Sequence, residues 1–227
     1  MTKAAVVLSG CGVFDGSEIH EAVSLLTALS DAGVAVQCFA PDVELAEIDH
    51  LAGKPTGQKR RVLTESARIA RGEVKALTEC KASAFDAVFF PGGFGAAKNL
   101  CDFATKGADC TVQPEVARVI REFHSAEKPI GMCCIAPVLA AKVLGRAGGG
   151  PGCRLTLGAP SEASKAAEKL GATHEAAPVT AAVVDAKNRL VTAPAYMYGD
   201  APIHEVARGI GEMVRATLEL AGAPATA

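Results

Sequence analysis

The chain has 227 residues, of which 49% are hydrophobic and 21% are charged. This length and composition fit one α/β domain with a substantial core, expected over 1–221, followed by a flexible tail at 222–227. A net charge of −2 gives no electrostatic reason to expect nucleic acid or an anionic membrane as a partner. No apolar run approaches the ~20 residues that cross a bilayer.

Strand-like and helix-like segments alternate along the chain. Short apolar, β-branched runs predict strands, and these runs span 4–9, 34–40, 85–91 and 128–133. Apolar residues at helical spacing predict helices, and these segments span 17–33, 62–72, 114–127, 136–144, 161–171 and 203–221. The segment "CRLTLG" and a hairpin-like pair ending in "RLVTAPA" add strands near the end. This alternation predicts an α/β fold with a mostly parallel sheet covered by helices on both faces.

The cysteines indicate a reducing compartment. They form no CxxC pair and show no regular spacing, which indicates neither a metal site nor a disulfide framework. They are Cys11, Cys38, Cys80, Cys101, Cys110, Cys133, Cys134 and Cys153. The first segment, "MTKAAVVLSG", enters a core strand with no room for a targeting peptide. We therefore expect a cytoplasmic protein, with a processed organellar form as the open alternative.

Two adjacent cysteines lie in "GMCCIAPVLAA", 131–141, where a predicted strand meets a predicted helix. Proline suits the first helical turn, so Pro137 places the helix start near Ala136 and the turn at Cys134–Ile135. A thiol on such a turn faces the cleft, and the helix N-terminus stabilises its thiolate. Cys134 is therefore the candidate nucleophile and Cys133 a core residue. The alternative is that both are ordinary core cysteines.

The loop "PGGFGAAKNL" follows the strand at 85–91, at the sheet edge where ligands bind in such folds. Glycine lets the backbone approach a reacting atom, so the N–H groups of Gly93 and Ile135 could form an oxyanion hole. The alternative is a plain glycine turn that leads into a short helix.

The first predicted helix carries two glutamates close to its start. Its expected apolar stripe comprises Ile19, Ala22, Val23, Leu26 and Leu29. Glu18 lies off this stripe in the first turn, where an acidic residue is common in any helix. If the loops converge, Glu18 could instead share a proton with Cys134 and act as a general acid/base. Glu21, one turn further on, is expected to be solvated.

The loop "GCGVFDG" after the first strand imitates a dinucleotide-binding turn, and Asp42 falls near the position of a ribose-binding acid. However, Asp15 and Glu18 would place two carboxylates where a pyrophosphate should lie. We therefore expect no cofactor.

Four segments in chain order carry a resemblance to a known family: "VVLSGCGVFDGSEIHEA", "FPGGFGAAKNL", "GMCCIAPVLAAKVL" and "VTAPAYM". Together they resemble the ElbB-type branch of the DJ-1/PfpI superfamily, whose fold is class I glutamine amidotransferase-like. The resemblance implies a flavodoxin-like three-layer sandwich and a homodimer or larger homo-oligomer. It also implies a nucleophile-elbow cysteine at Cys134, a neighbouring carboxylate at Glu18 and an oxyanion-hole donor at Gly93.

The activity implied by the resemblance is that of a cofactor-independent glyoxalase, which converts glyoxal or methylglyoxal to glycolate or lactate. The chain departs from glutamine amidotransferases because the late segments "CRLTLGAPSE" and "TAPAYMYG" contain no histidine to activate the cysteine, and His174 is expected at the surface. Glutaminase activity is therefore not expected. A redox-sensing or protein-protecting, deglycase-like role is the open alternative. Further candidate cleft residues are Cys11, which could act as a resolving thiol, His20, Asn99 and Tyr196.

Overall fold

The computed structural model describes residues 1–222, and most predicted elements are present in it. The strands are β1 Lys3–Val7, β2 Ala35–Ala40, β3 Glu44–Asp49, β4 Lys54–Arg61, β5 Val74–Ala76, β6 Ala87–Phe90, β7 Ile130–Cys133, β8 Arg154–Leu155, β9 Thr173–His174, β10 Val183–Asp185 and β11 Leu190–Ala193. The α-helices are α1 Ile19–Asp31, α2 Val62–Ile69, α3 Phe94–Lys98, α4 Phe103–Lys106, α5 Pro114–Ser125, α6 Pro137–Leu144, α7 Glu162–Lys169 and α8 Ile203–Leu220. The tail predicted at 222–227 lies, except for Gly222, outside the described residues.

Seven strands form the central sheet in the order β10-β11-β7-β6-β1-β2-β5. All neighbours pair in parallel except β10 and β11, which form the predicted hairpin. Successive strand residues face opposite sides, so each strand feeds two apolar cores. Val7 and Val88 pack in the core beneath α5 and α6, whereas Val6 and Phe89 pack in the core beneath α1 and α8. The predicted α/β three-layer sandwich with a mostly parallel sheet is confirmed.

The loops at the carboxyl ends of β1, β6, β7 and β11 meet at one edge of the sheet. The backbone N–H of Glu18 donates to the carbonyl of Gly92 at 3.1 Å, which joins the first loop to the second. The N–H of Cys134 donates to the carbonyl of Ala193 at 3.0 Å, which joins the loop after β7 to the end of β11. In open α/β sheets this edge is where ligands bind.

The antiparallel hairpin of β3 and β4 was not predicted, because neither strand has an apolar alternation. Half of its residues are charged, and most are exposed. The two strands pair through their backbones, and ion pairs join their side chains, with Lys59 bound to Glu44 at 2.8 Å and Arg60 bound to Glu47. Opposite charges facing each other across a strand pair are stabilising, although period-two hydrophobicity is absent.

The buried face of α1 also differs from the expected stripe. Ile19 and Val23 are exposed, whereas Leu25, which was not on that stripe, is fully buried. The buried face carries Glu21, Ala22, Leu25 and Leu29. Ala22 and Leu29 of the expected stripe are buried as predicted, but the buried face is centred closer to Glu21 and Leu25, and it brings one carboxylate into the core. Within residues 1–222, no helix combines the length and the apolar character needed to cross a membrane.

Candidate active site

Cys134 occupies a sharp turn between the end of β7 and the start of α6. Its φ is +57°, in the left-handed region that non-glycine residues seldom adopt, and Pro137 opens the helix that follows. The side chain is 8% exposed, whereas its neighbour Cys133 is fully buried. This backbone geometry places the Cys134 sulfur at the sheet edge, which is the arrangement of a nucleophile elbow.

Two backbone N–H groups, those of Gly93 and Ile135, are directed at the Cys134 sulfur. Gly93 has a φ of +93°, and a Cβ there would overlap the backbone of Gly16 and Glu18. Only glycine fits this position, because both its conformation and its space exclude a side chain. The two donors would also lie close to an oxygen that develops on a carbon bonded to this sulfur.

Glu21 lies directly behind the cysteines, and the expectation that it is solvated is wrong. Its side chain is fully buried. Oε2 accepts a hydrogen bond from the N–H of Gly92 at 3.0 Å, and Oε1 accepts one from the N–H of Tyr196 at 3.1 Å. The carboxyl also hydrogen-bonds the Cys134 thiol, and the Cys133 sulfur lies 3.9 Å from Oε2. Glu21 is thus the carboxyl that contacts both adjacent thiols.

Burial dominates the titration of this pair. Loss of solvent raises the pKa of Glu21 from 4.5 to about 7, although the N–H groups of Tyr196 and Gly92 oppose the shift. Burial, followed by the charge of Glu21, also raises the pKa of Cys134 well above its usual value. The expected lowering by the helix N-terminus is therefore outweighed. Loss of the first proton, near pH 7, leaves the negative charge on the Glu21 carboxyl, and loss of the Cys134 proton as well is opposed by burial and like charge.

Glu18, the carboxylate expected beside Cys134, has a different position. It caps α1, because its Oε2 accepts a hydrogen bond from the N–H of Glu21 at 2.7 Å. Its Oε1 lies 3.8 Å from Nδ1 of His20, and that nitrogen lies 3.2 Å from the hydroxyl of Tyr196. Glu18 thus faces the cavity in front of Cys134, whereas Glu21 lies behind the thiol.

A cavity of about 360 Å³ opens in front of the Cys134 sulfur. Tyr196, one of the predicted cleft residues, lines it together with Glu18. His20 is exposed and does not line the cavity, but its ring forms a hydrogen bond with the Tyr196 hydroxyl. Most of the other lining side chains are apolar: Val13, Phe94, Ala97, Phe103, Ala104, Ile135 and Met197. Among residues 1–222, no histidine lines this cavity.

Two of the four predicted cleft residues, Cys11 and Asn99, lie elsewhere. Cys11 lines a separate polar cavity of about 530 Å³ beneath the β3–β4 hairpin. The Asn99 side chain donates to the carbonyls of Ser9 and Asp15, both at 2.8 Å, so it holds the first loop in place. In the described part of the chain, no group of three histidine, cysteine or acidic residues could hold a metal ion.

Comparison with known proteins gives a consistent family. The model of the DJ-1/PfpI family matches residues 6–202. The human glutamine amidotransferase-like class 1 domain-containing protein 3, mitochondrial, is 52% identical over 231 residues, covering 97% of this chain and 84% of the human one. The ES1 protein, mitochondrial, of Danio rerio is 36% identical over 238 residues, and the match covers 96% of this chain and 86% of the Danio rerio protein.

A solved structure is also similar over nearly the whole chain. It is described as an isoprenoid biosynthesis protein with amidotransferase-like domain from Ehrlichia chaffeensis. The two share 33% identity with a TM-score of 0.89, covering 97% of this chain and 99% of the other.

Proposed function

This chain belongs to the DJ-1/PfpI family, and we propose that it is an enzyme that converts small α-oxoaldehydes to hydroxy acids through Cys134. The observation that carries the proposal is the buried Glu21 carboxyl, whose pKa of about 7 lets it exchange a proton with the neighbouring thiol at neutral pH. The proposed steps use only side chains, backbone N–H groups and water. Glyoxal and methylglyoxal, which would give glycolate and lactate, are the simplest substrates of this class.

The first step is addition of sulfur to the aldehyde. The thiol proton of Cys134 passes to the Glu21 carboxylate while the sulfur forms a bond to the aldehyde carbon. The carbonyl π electrons move to oxygen, and the N–H groups of Gly93 and Ile135 stabilise the resulting charge. The oxygen then takes the proton held by Glu21, which gives a thiohemiacetal and regenerates the carboxylate.

The second step moves a proton between the two substrate carbons. Glu18 faces the cavity, so we assign to it removal of the proton from the carbon bonded to sulfur and its delivery to the neighbouring carbonyl carbon. The oxygen protons redistribute within the same intermediate, which becomes a thioester of the hydroxy acid. Water then cleaves the carbon–sulfur bond and releases the acid and the Cys134 thiol. One carbon is oxidised and its neighbour is reduced, so no external oxidant is needed.

The names of the relatives leave other activities to consider. The term amidotransferase-like describes the relatives. A glutaminase of this class activates its cysteine with a histidine, and among the described residues no histidine lines the cavity. A redox or protein-protecting role is the alternative, since a cysteine thiolate that faces a cavity is open to oxidation. Both alternatives predict no hydroxy acid from an α-oxoaldehyde, so one assay separates them from the proposal.

Assembly and location are also proposals. Ile19 and Val23 lie one turn apart on α1 and are 44% and 49% exposed, which supports a homodimer that covers this apolar face. The human and Danio rerio relatives are both named as mitochondrial, so the cytoplasmic expectation has no support. We retain the organellar form as the proposal.

The test is a glutathione-free, metal-free assay of methylglyoxal conversion to lactate. Wild type, Cys134→Ser, Glu21→Gln and Glu18→Gln are compared with Cys133→Ser, whose parent side chain is buried behind the site. Turnover should be lost in Cys134→Ser, fall at least about 100-fold in each glutamate variant, and stay within a few-fold of wild type in Cys133→Ser. Lactate production by Cys134→Ser at the wild-type rate would sink the proposal, as would none by wild type.

A further inference from the structure

The cavity in front of Cys134 is larger and more apolar than a two- or three-carbon aldehyde requires. Its volume of about 360 Å³ lies in the range of cavities that hold drug-sized molecules. Methylglyoxal in contact with the Cys134 sulfur would leave most of that space filled by water against apolar walls. Water held against such walls is unfavourable, so the cavity favours a ligand that displaces it.

The lining combines a few polar groups with a larger apolar surface. The N–H groups of Gly93 and Ile135 are directed at the Cys134 sulfur, where a carbonyl group would react, and Glu18 and Tyr196 line the same cavity. Phe94, Phe103 and Met197 add aromatic and thioether surface. A ligand with a carbonyl at one end and an apolar group at the other matches this combination.

The charges exclude an anionic substituent. Among the described residues, no lysine, arginine or histidine lines the cavity, and Glu18 is an acidic group that would repel a carboxylate or phosphate. Lys98 lies on the same helix as Phe94, but its ammonium donates to the carbonyl of Phe14 at 2.8 Å and lies over the Phe94 ring. The apolar group should therefore be neutral.

We propose that this site selects α-oxoaldehydes that carry a branched aliphatic or aromatic substituent over glyoxal and methylglyoxal. The proposal rests on the α-oxoaldehyde chemistry assigned to Cys134 and names its substrate class. Each buried carbon should raise kcat/KM, because one methylene in an apolar pocket is worth roughly tenfold or more. Part of Phe94 is exposed at the cavity, so the gain should level off for substituents larger than a phenyl ring.

The kinetic test compares methylglyoxal with isopropylglyoxal, since the two aldehydes have similar intrinsic reactivity. We expect kcat/KM to be at least about tenfold higher for isopropylglyoxal. Ala104→Glu places a charge at an exposed position of the lining, and it should lower kcat/KM more for isopropylglyoxal than for methylglyoxal. Thr105→Glu changes the net charge equally beside the cavity and should leave that ratio unchanged. Equal kcat/KM for the two aldehydes in wild type would overturn the proposal.

A binding test separates this proposal from the chemistry on which it rests. Benzyl alcohol has no carbonyl, so its binding reports the apolar cavity whether or not the protein turns over aldehydes. The chain has four methionines, and with methyl-labelled methionine we expect the Met197 signal to shift on titration while buried Met132 and Met213 do not. The shift should be lost in Ala104→Glu and kept in Thr105→Glu. A Met197 signal that never moves would refute the apolar site even if turnover is present, and a shift without turnover would refute only the chemistry.

Discussion

Removing the Glu21 carboxyl should change how the stability of the protein depends on pH. Glu21→Gln keeps the size of the side chain but cannot ionise. Burial raises the pKa of Glu21 from 4.5 to about 7, so the folded protein holds this proton over a range where the unfolded chain has released it. The folded state binds more protons there, and its free energy of unfolding therefore falls as pH rises.

The magnitude follows from the same two values. A difference between 4.5 and about 7, at ~1.4 kcal/mol per pH unit, makes wild type about 3 kcal/mol less stable above pH 7 than below 4.5 from this group alone. Glu21→Gln lacks this loss. Its free energy of unfolding will also differ from that of wild type by a constant amount. The amide has one oxygen in place of two, so it cannot accept the hydrogen bonds of Gly92 and Tyr196 on two separate oxygens. As pH rises from 4.5 to above 7, the free energy of unfolding of the variant should therefore increase by about 3 kcal/mol relative to that of wild type.

Urea unfolding at several pH values between 4 and 8 measures this difference, since the other titrating groups cancel between the two proteins. Glu44→Gln is the control, because Lys59 lowers the pKa of this exposed carboxyl. The stability that the Glu44 carboxylate contributes is lost as pH falls. The free energy of unfolding of Glu44→Gln should therefore change relative to wild type only near and below pH 4.5. A flat difference for Glu21→Gln between pH 4.5 and 7 would refute the burial argument.

Three further predictions concern the site and its surroundings. The kcat/KM for an α-oxoaldehyde should rise as pH increases through about 7, because Glu21 must be ionised to accept the thiol proton; a profile that falls there would contradict this role. Gly92→Ala should abolish turnover and cost about 1–3 kcal/mol in urea unfolding, because its Cβ would overlap Cys134 and lie 2.7 Å from Glu21 Oε2. Wild-type activity of Gly92→Ala would show that the contacts among Gly92, Cys134 and Glu21 are less tight than the structure indicates. Val23→Glu should shift the molar mass measured by light scattering from dimer to monomer, and an unchanged mass would place the interface elsewhere.

Much of the fold could be predicted because the central strands and covering helices follow simple hydrophobic periods. The β3–β4 hairpin could not, since ion pairs such as Arg60 with Glu47 replace the apolar alternation on which the prediction depends. The turn at Cys134 was predictable from the strand that ends before it and from Pro137, because proline is favoured in the first turn of a helix. Local sequence rules were sufficient there because the geometry is itself local.

The carboxylate beside the thiols was misplaced for a physical reason. Glutamate is usually solvated, so the predicted stripe excluded Glu21 and took Ile19 and Val23 instead. A signal was nevertheless present: Glu21, Leu25 and Leu29 are spaced four residues apart, and residues at that spacing share a helix face. A charged residue in the same row as two buried leucines can be accommodated only with partners. Those partners, the N–H groups of Gly92 and Tyr196, come from loops distant in sequence.

Burial raises the pKa of both groups of the Glu21–Cys134 pair, and this decides which form can react. Desolvation disfavours charge on either group, so the pair carries a single negative charge above the Glu21 pKa of about 7. That charge rests on the carboxyl, because the pKa of the Cys134 thiol is raised well above its usual value, and it reaches the sulfur only by transfer of the thiol proton. With the charge on the carboxyl, Gly92 and Tyr196 stabilise it; with the charge on the sulfur, Gly93 and Ile135 do so. The thiolate form also has a neutral carboxylic acid beside it, which can return the proton to the oxygen formed on addition. The nucleophile and the acid that completes its reaction therefore arise together, by transfer of one proton between adjacent side chains.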